Sequence, residues 1–181
     1  MSDPFRASLL LSMPQLQDPN FARTVVLLCD YGPEGAFGLV INRPTDVPAT
    51  SMVRLDPPVV EGNDMPLWIG GPVEPQRGWI LLGEEPAVEF KCIRDGLYLS
   101  TSAVLLRDVL EARPAPRARV LAGYAGWGPG QLDGELSQSA WLMADVDLDI
   151  VFDVPAAAMW ETAIRRLGAD PSTLTMGHGV H

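Results

Sequence analysis

The chain of 181 residues carries 13 basic against 23 acidic side chains, a formal charge of −10, which opposes nucleic-acid binding because affinity for a phosphate backbone comes from releasing counterions to a basic face. Gly and Pro number 17 each, 47% of residues are hydrophobic and 20% charged, a composition that excludes a disordered or fibrous chain and describes a turn-rich globular domain. Apolar runs such as Val25 to Cys29 and Ala140 to Ala144 fall far short of the roughly 20 residues a membrane helix needs, and the opening Met1-Ser2-Asp3-Pro4-Phe5-Arg6 lacks the segments of a secretory signal. A cytoplasmic protein without a membrane partner is expected.

Strands are predicted first, over Ala7 to Met13, Thr24 to Tyr31 and Ala36 to Asn42, as short Leu-rich and β-branched runs bounded by turn residues. Gly32-Pro33-Glu34-Gly35 joins the second and third as an antiparallel hairpin, with Pro pre-setting φ and Gly supplying a positive one. Ser51 to Leu55 reads as one helical turn, hemmed by prolines. Further strands are expected over Leu67 to Ile69, Gly78 to Leu82, Glu89 to Ile93 and Leu97 to Ser100, the last two joined by Asp95-Gly96. Ser102 is a predicted N-cap for a helix over Ala103 to Ala112, whose Leu105, Leu106, Val109 and Leu110 share one face before Pro114 stops it. A strand over Arg117 to Ala122 leads into a Gly-rich loop and then a short helix, Gln131 to Gln138. The last helix has Pro155 in its first turn, a stripe of Met159, Trp160, Ala163, Ile164 and Leu167, and Gly168 as its stop. Strands in a block interrupted by few helices predict a single α+β domain, with short turns favouring antiparallel pairing.

Several segments are candidates for chemistry. Gly123-Tyr124-Ala125-Gly126-Trp127-Gly128-Pro129-Gly130 reads either as an anion-holding loop before a helix or as a tight turn whose Trp127 plugs the core; it lacks the ending of a phosphate loop, and Pro129 removes an amide. Gly70-Gly71-Pro72-Val73 reads as a ligand cradle or, more in keeping with its glycines, a backbone bend packed against a neighbour. Asp145, Asp147 and Asp149 alternate as on a solvated strand face, and the calcium-loop pattern is broken by Ile150 and Ala156. His178 and His181 are too few to hold a metal alone. Cys29 and Cys92 are solitary, and buried reduced thiols are expected. Ser12 reads as a strand-end hydroxyl rather than a nucleophile. Arg107, Arg113, Arg117 and Arg119 form the local basic excess, either solvated or a docking patch for an acidic partner. No Gly-x-Ser-x-Gly elbow occurs. With no catalytic set, metal set or cofactor motif, a non-enzyme without a cofactor is expected.

Taken in order, Ser12-Met13-Pro14-Gln15-Leu16-Gln17-Asp18-Pro19-Asn20-Phe21-Ala22-Arg23-Thr24, Gly35-Ala36-Phe37-Gly38-Leu39-Val40-Ile41-Asn42-Arg43-Pro44, Gly70-Gly71-Pro72-Val73, Arg77-Gly78, Gly123 to Leu132, Trp141-Leu142 and Gly177-His178 resemble the YqgE/AlgH family over nearly the whole chain. The resemblance implies a bacterial cytoplasmic α+β protein whose bifurcated, largely antiparallel sheet forms a pseudo-barrel with flanking helices. It implies no established reaction or cofactor, only a transcriptional-regulator label. The sequence departs from the family where Cys-Glu-His is common, here Cys29-Asp30-Tyr31, and in the Pro-rich stretch after Pro44.

Three functions follow as expectations. The first is a non-enzymatic regulatory or adaptor protein acting through protein contacts or a small anionic ligand, with Asn42, Arg43, Gly70, Gly71, Gly126, Trp127 and Gly128 lining a shared surface. An adjacent amide and guanidinium at a strand end suit an anionic group. The second is a DNA-binding transcriptional regulator, opposed by the charge and by the lack of two adjacent helices in helix-turn-helix order. The third is an enzyme using the Gly-rich loop as an anion site.

Overall fold

The computed structural model describes residues 5–13 and 21–176; the expectations for His178 and His181 fall outside them. Ten strands and six helices follow in the order β1 (Ser8–Ser12), β2 (Val25–Gly32), β3 (Gly35–Val40), β4 (Pro44–Pro48), α1 (Ala49–Met52), β5 (Pro66–Ile69), β6 (Val73–Leu82), β7 (Lys91–Arg94), β8 (Leu97–Ser100), α2 (Ala103–Glu111), β9 (Ala118–Trp127), α3 (Gln131–Ser137), β10 (Trp141–Asp145), α4 (Leu148–Phe152), α5 (Ala156–Arg166) and α6 (Pro171–Met176). The fold is α+β.

One path of pairing runs β10-β1-β2-β3-β9-β6-β8-β7, antiparallel at every step. It forks at β9. Ala125 to Trp127 pair with β3, whereas Val120 to Ala122 pair on one side with β6 and on the other with β5. The β5–β9 pair is parallel and brings β4 with it, the exception to the antiparallel expectation. The sheet is not closed, for its end strands β10 and β7 do not pair. Its ends nevertheless approach: Arg94 at the end of β7 donates to the Val146 carbonyl, one residue past β10, at 2.7 Å.

The fork divides the core. Leu9, Leu11, Val25, Leu27, Leu39 and Leu121 face one cluster, closed by Met159, Trp160, Ala163 and Ile164 of α5. The alternate side chains Leu10, Val26, Leu28 and Val40 meet Trp127, Leu132 and Trp141. A third cluster joins Leu67, Ile80, Leu82 and Val120 to Leu105, Val109 and Leu110 of α2. Strands covered on both faces by separate clusters explain why β1 and β2 read as continuous apolar runs rather than alternating ones.

Local signals place most elements as expected. The β2–β3 hairpin turns on Pro33-Glu34, the Ser102 hydroxyl accepts from the Leu105 amide at 3.3 Å, and α5 buries its Met159, Trp160, Ala163 and Ile164 stripe. Other expectations are corrected. The helical turn expected at Ser51 to Leu55 is α1, which begins directly after Pro48. β7 runs Lys91–Arg94 rather than from Glu89. Leu167, assigned to the buried stripe, is exposed, since α5 ends at Arg166.

The acidic run is not a strand face. β10 ends at Asp145 and α4 follows, because Val146, Ile150, Val151 and Phe152 bury on the α5 side of the sheet. Asp147 and Asp149 instead clamp Arg166, with Asp149 bound in a fork at 2.8 and 2.7 Å. That pairing holds the Asp149 carboxyl well below the usual carboxylate range.

Candidate functional site

At one end of the sheet the strands β1, β2 and β3 part, and their backbone donors turn to side chains. Ser12, Thr24 and Asn42 stand there in a row, all buried. The Ser12 hydroxyl accepts from the Thr24 amide at 2.7 Å. The Asn42 Oδ1 accepts from the Val25 amide at 3.1 Å while its Nδ2 donates to the Arg23 carbonyl at 3.1 Å. Buried amides without strand partners must find others; Asn42 supplies an acceptor and a donor in one planar group.

This row holds the two cations of a cleft of about 180 Å³, walled by Ala22, Arg23, Asn42 and Arg43 and by Ala156, Ala157, Trp160 and Glu161 of α5. Arg23 has a positive φ of 49, a conformation few non-glycine residues adopt. Its guanidinium lies 4.8 Å from the Trp160 ring centroid and pairs with Glu161 at 2.6 Å. α5 is tied to the same place by the Trp160 indole, which donates to the Ser12 carbonyl at 3.0 Å.

Arg43 differs from Arg23 in its partners. It is half-buried and donates to the Asn42 carbonyl at 3.3 Å, to the Thr24 hydroxyl at 2.8 Å and to the Ala22 carbonyl. All three acceptors are neutral. Burial lowers its pKa from the ordinary arginine value, with no carboxylate to raise it. Arginine keeps its proton nonetheless, so the cleft wall carries a fixed cation whose charge is uncompensated. Such a group suits carboxylate or phosphate, which its planar fork can meet with two hydrogen bonds.

The remaining expected site residues do not line this cleft. Gly70 and Gly71 form the bend after β5, packed on β9: the Gly70 amide donates to the Ala122 carbonyl and its carbonyl accepts from Val40, both at 2.7 Å. A Cβ at Gly71, where φ is +152, would stand 2.1 Å from the Tyr124 carbonyl carbon. The segment from Gly123 to Trp127, expected as a loop, is the continuation of β9, with Gly126 opposite Phe37. Trp127 is buried, as the plug reading has it. The Gly128 amide donates to the Gln131 side chain at 3.0 Å, so these amides serve the ladder and the α3 turn.

Glu135 ties that region together and had no sequence signal. One of its carboxylate oxygens accepts from the Trp127 and Trp141 indoles, at 3.0 and 2.8 Å. Thr24, Arg23, Trp160 and Glu161 were equally missed around the cleft. The buried polar Thr24 beside an Arg is a detectable irregularity in an apolar run, whereas the α5 residues enter only through packing.

The basic excess is dispersed. Arg107 and Arg113 donate to the Pro57 and Gly62 carbonyls, Arg117 pairs with Asp153 at 2.7 Å, and Arg119 donates to the Phe152 carbonyl at 2.6 Å between the rings of Trp68 and Phe152. Each arginine is engaged with the fold's own acceptors. The thiols also divide: Cys29 is buried, its pKa pushed up to about 12 by desolvation, and Cys92 is exposed, correcting the expectation of two buried cysteines. Iodoacetamide at pH 8 should therefore label Cys92 alone in the native protein and both residues in urea, read by peptide mass; native labelling of Cys29 would contradict its burial.

No helix among the described residues is long and apolar enough to cross a membrane. A family model described as AlgH-like matches residues 9–172. A UPF0301 protein of Methylococcus capsulatus is 42% identical, over 94% of each chain, and one of Myxococcus xanthus is 39% identical over 96% of each. The solution structure of the AlgH protein from Pseudomonas aeruginosa superposes with a TM-score of 0.79 at 35% identity, covering 97% of this chain and 96% of that one. A crystal structure of a Corynebacterium diphtheriae protein shares the fold at a TM-score of 0.69 and 22% identity.

Proposed function

The chain belongs to the AlgH-like family, and from that membership together with the cleft beside α5 we propose that it is a non-enzymatic regulatory or adaptor protein of the cytoplasm that binds an anionic group of a small ligand or partner protein. One observation supports the reading: Arg43 offers a half-buried guanidinium at a cleft wall, its own hydrogen-bond acceptors are all neutral, and the lining carboxylate, Glu161, is paired with Arg23. The positive φ of Arg23 at the same wall supports it, since backbone strain gathers at binding sites. The overall charge of −10 favours regulation through protein or metabolite contacts over direct contact with DNA.

Thermal unfolding in the presence of phosphorylated and carboxylated metabolites tests the site. A ligand at 100 times its Kd stabilises by about 2.7 kcal/mol, and that shift is expected in the wild type and lost in Arg43→Gln. For a protein partner, the corresponding result is retention from a native lysate by the wild type and loss by the variant. Equal behaviour of the two proteins in both assays would remove Arg43 from the site. Turnover of a stabilising ligand would replace the reading with an enzymatic one, and saturable, sequence-dependent binding of a DNA fragment would replace it with direct transcriptional regulation.

A further inference from the structure

A second cavity, of about 630 Å³, shares no lining residue with the Arg43 cleft. It falls within the roughly 300 to 1,000 Å³ of small-molecule sites. Its floor is one face of the forked sheet, made by Leu67, Ile69, Gly78, Ile80, Val120 and Ala122, and its walls include Met52, the last residue of α1, Val53 to Leu55 after it and Leu106 of α2. Leu67, Ile80 and Val120 are buried beneath α2, and two features keep the Ile69 and Gly78 end of the floor open. The β6–β9 pairing jumps from Val73 opposite Tyr124 to Gly78 opposite Ala122, and Pro75 and Gln76 of the looped-out stretch line the groove. At Gly78, an added Cβ would meet only the Leu121 carbonyl oxygen, at 4.0 Å, so a side chain would fit there and glycine leaves the space open.

The lining is apolar and partly wet. Met52 and Ile69 remain 58% and 42% exposed, and covering them with an apolar chain would be favourable. Charge is one-sided as well. Arg54 is the charged residue of the lining and no carboxylate joins it, in a chain with 23 acidic side chains. Among the described residues Arg54 has neither a hydrogen-bond nor an ion-pair partner.

We propose that this groove binds an amphipathic small molecule, an unbranched apolar chain ending in a carboxylate, with the chain along Ile69, Gly78 and Ala122 and the carboxylate at Arg54. The site goes beyond the Arg43 reading and stands without it. A cationic amphiphile would meet Arg54 with like charge, and a neutral one would leave that cation unused.

The test is titration of the methyl-labelled protein with decanoate and with neutral 1-decanol, each below its solubility limit, followed by NMR. Saturable shifts are expected at the Met52 and Ile69 methyls. Gly78→Leu should weaken decanoate by at least about tenfold by filling the floor, and Arg54→Gln by about fivefold while leaving decanol unchanged. Arg54 is exposed, so its variant folds and decides the matter even if Gly78→Leu does not. Absence of saturable shifts at these methyls, or equal effects of Arg54→Gln on both probes, overturns the proposal. So do ligand-independent, concentration-dependent shifts at the same methyls, which would place a second copy of the chain in the groove.

Discussion

Gly71→Ala is expected to lower the unfolding free energy by about 3 kcal/mol, the sum of a left-handed backbone imposed on a residue with a Cβ and of overpacking against a rigid neighbour. The added carbon would lie 2.1 Å from the Tyr124 carbonyl carbon, 2.2 Å from its oxygen and 2.6 Å from the Ala125 nitrogen. All three are backbone atoms of β9, so no side chain can turn aside to make room. Relief would require the bend between β5 and β6 to lift from β9, at the point where the sheet forks. Urea unfolding should show a lower midpoint with an unchanged slope. A loss below about 1 kcal/mol would mean that the bend adapts without strain. Because Gly71 does not line the Arg43 cleft, the folded variant should keep the ligand response of the wild type, which distinguishes packing at this glycine from a binding role.

Asn42→Ala is expected to destabilise by about 2 kcal/mol, because it strands a buried donor and a partly buried acceptor rather than removing a self-contained pair. The Val25 amide and the Arg23 carbonyl would both lose their partner, and Val25 is fully buried. The same change releases the strained turn that presents Arg23 and Arg43 to the cleft. Stability and ligand response should therefore fall together in Asn42→Ala, whereas Arg43→Gln should lose the response with little change in midpoint. A variant Asn42→Ala that unfolds like the wild type would show that water replaces the amide without cost.

The strands and amphipathic helices were legible where a local rule applied: Ser102 as a cap, Gly32 and Gly35 around a tight turn, the α5 stripe. β4 was hidden because its ends are prolines, which local propensity counts against a strand, although an edge strand tolerates them. α4 was hidden because Asp145, Asp147 and Asp149 alternate as on a strand, and the choice between strand and helix was made by Ile150, Val151 and Phe152 finding the core. Within the site, the Asn42-Arg43 pair was visible as an amide beside a guanidinium. Gly126, Trp127 and Gly128 were unusual for a different reason, since close strand packing and a binding loop both select glycine and aromatic residues.

Composition, turn chemistry and periodicity by themselves determined an acidic, turn-rich α+β chain with largely antiparallel pairing, and the order of its motifs determined the family. Each of those properties rests on residues near one another in sequence or on sums over the chain. The tertiary structure decided that β9 takes three partners, that Gly70 and Gly71 serve packing, and that Arg43 shares a cleft with α5 while Arg54 borders a separate groove. Those outcomes depend on which buried faces and unpaired amides meet across more than a hundred residues, as Trp160 meets Ser12, and no local pattern encodes a contact whose two halves are individually ordinary.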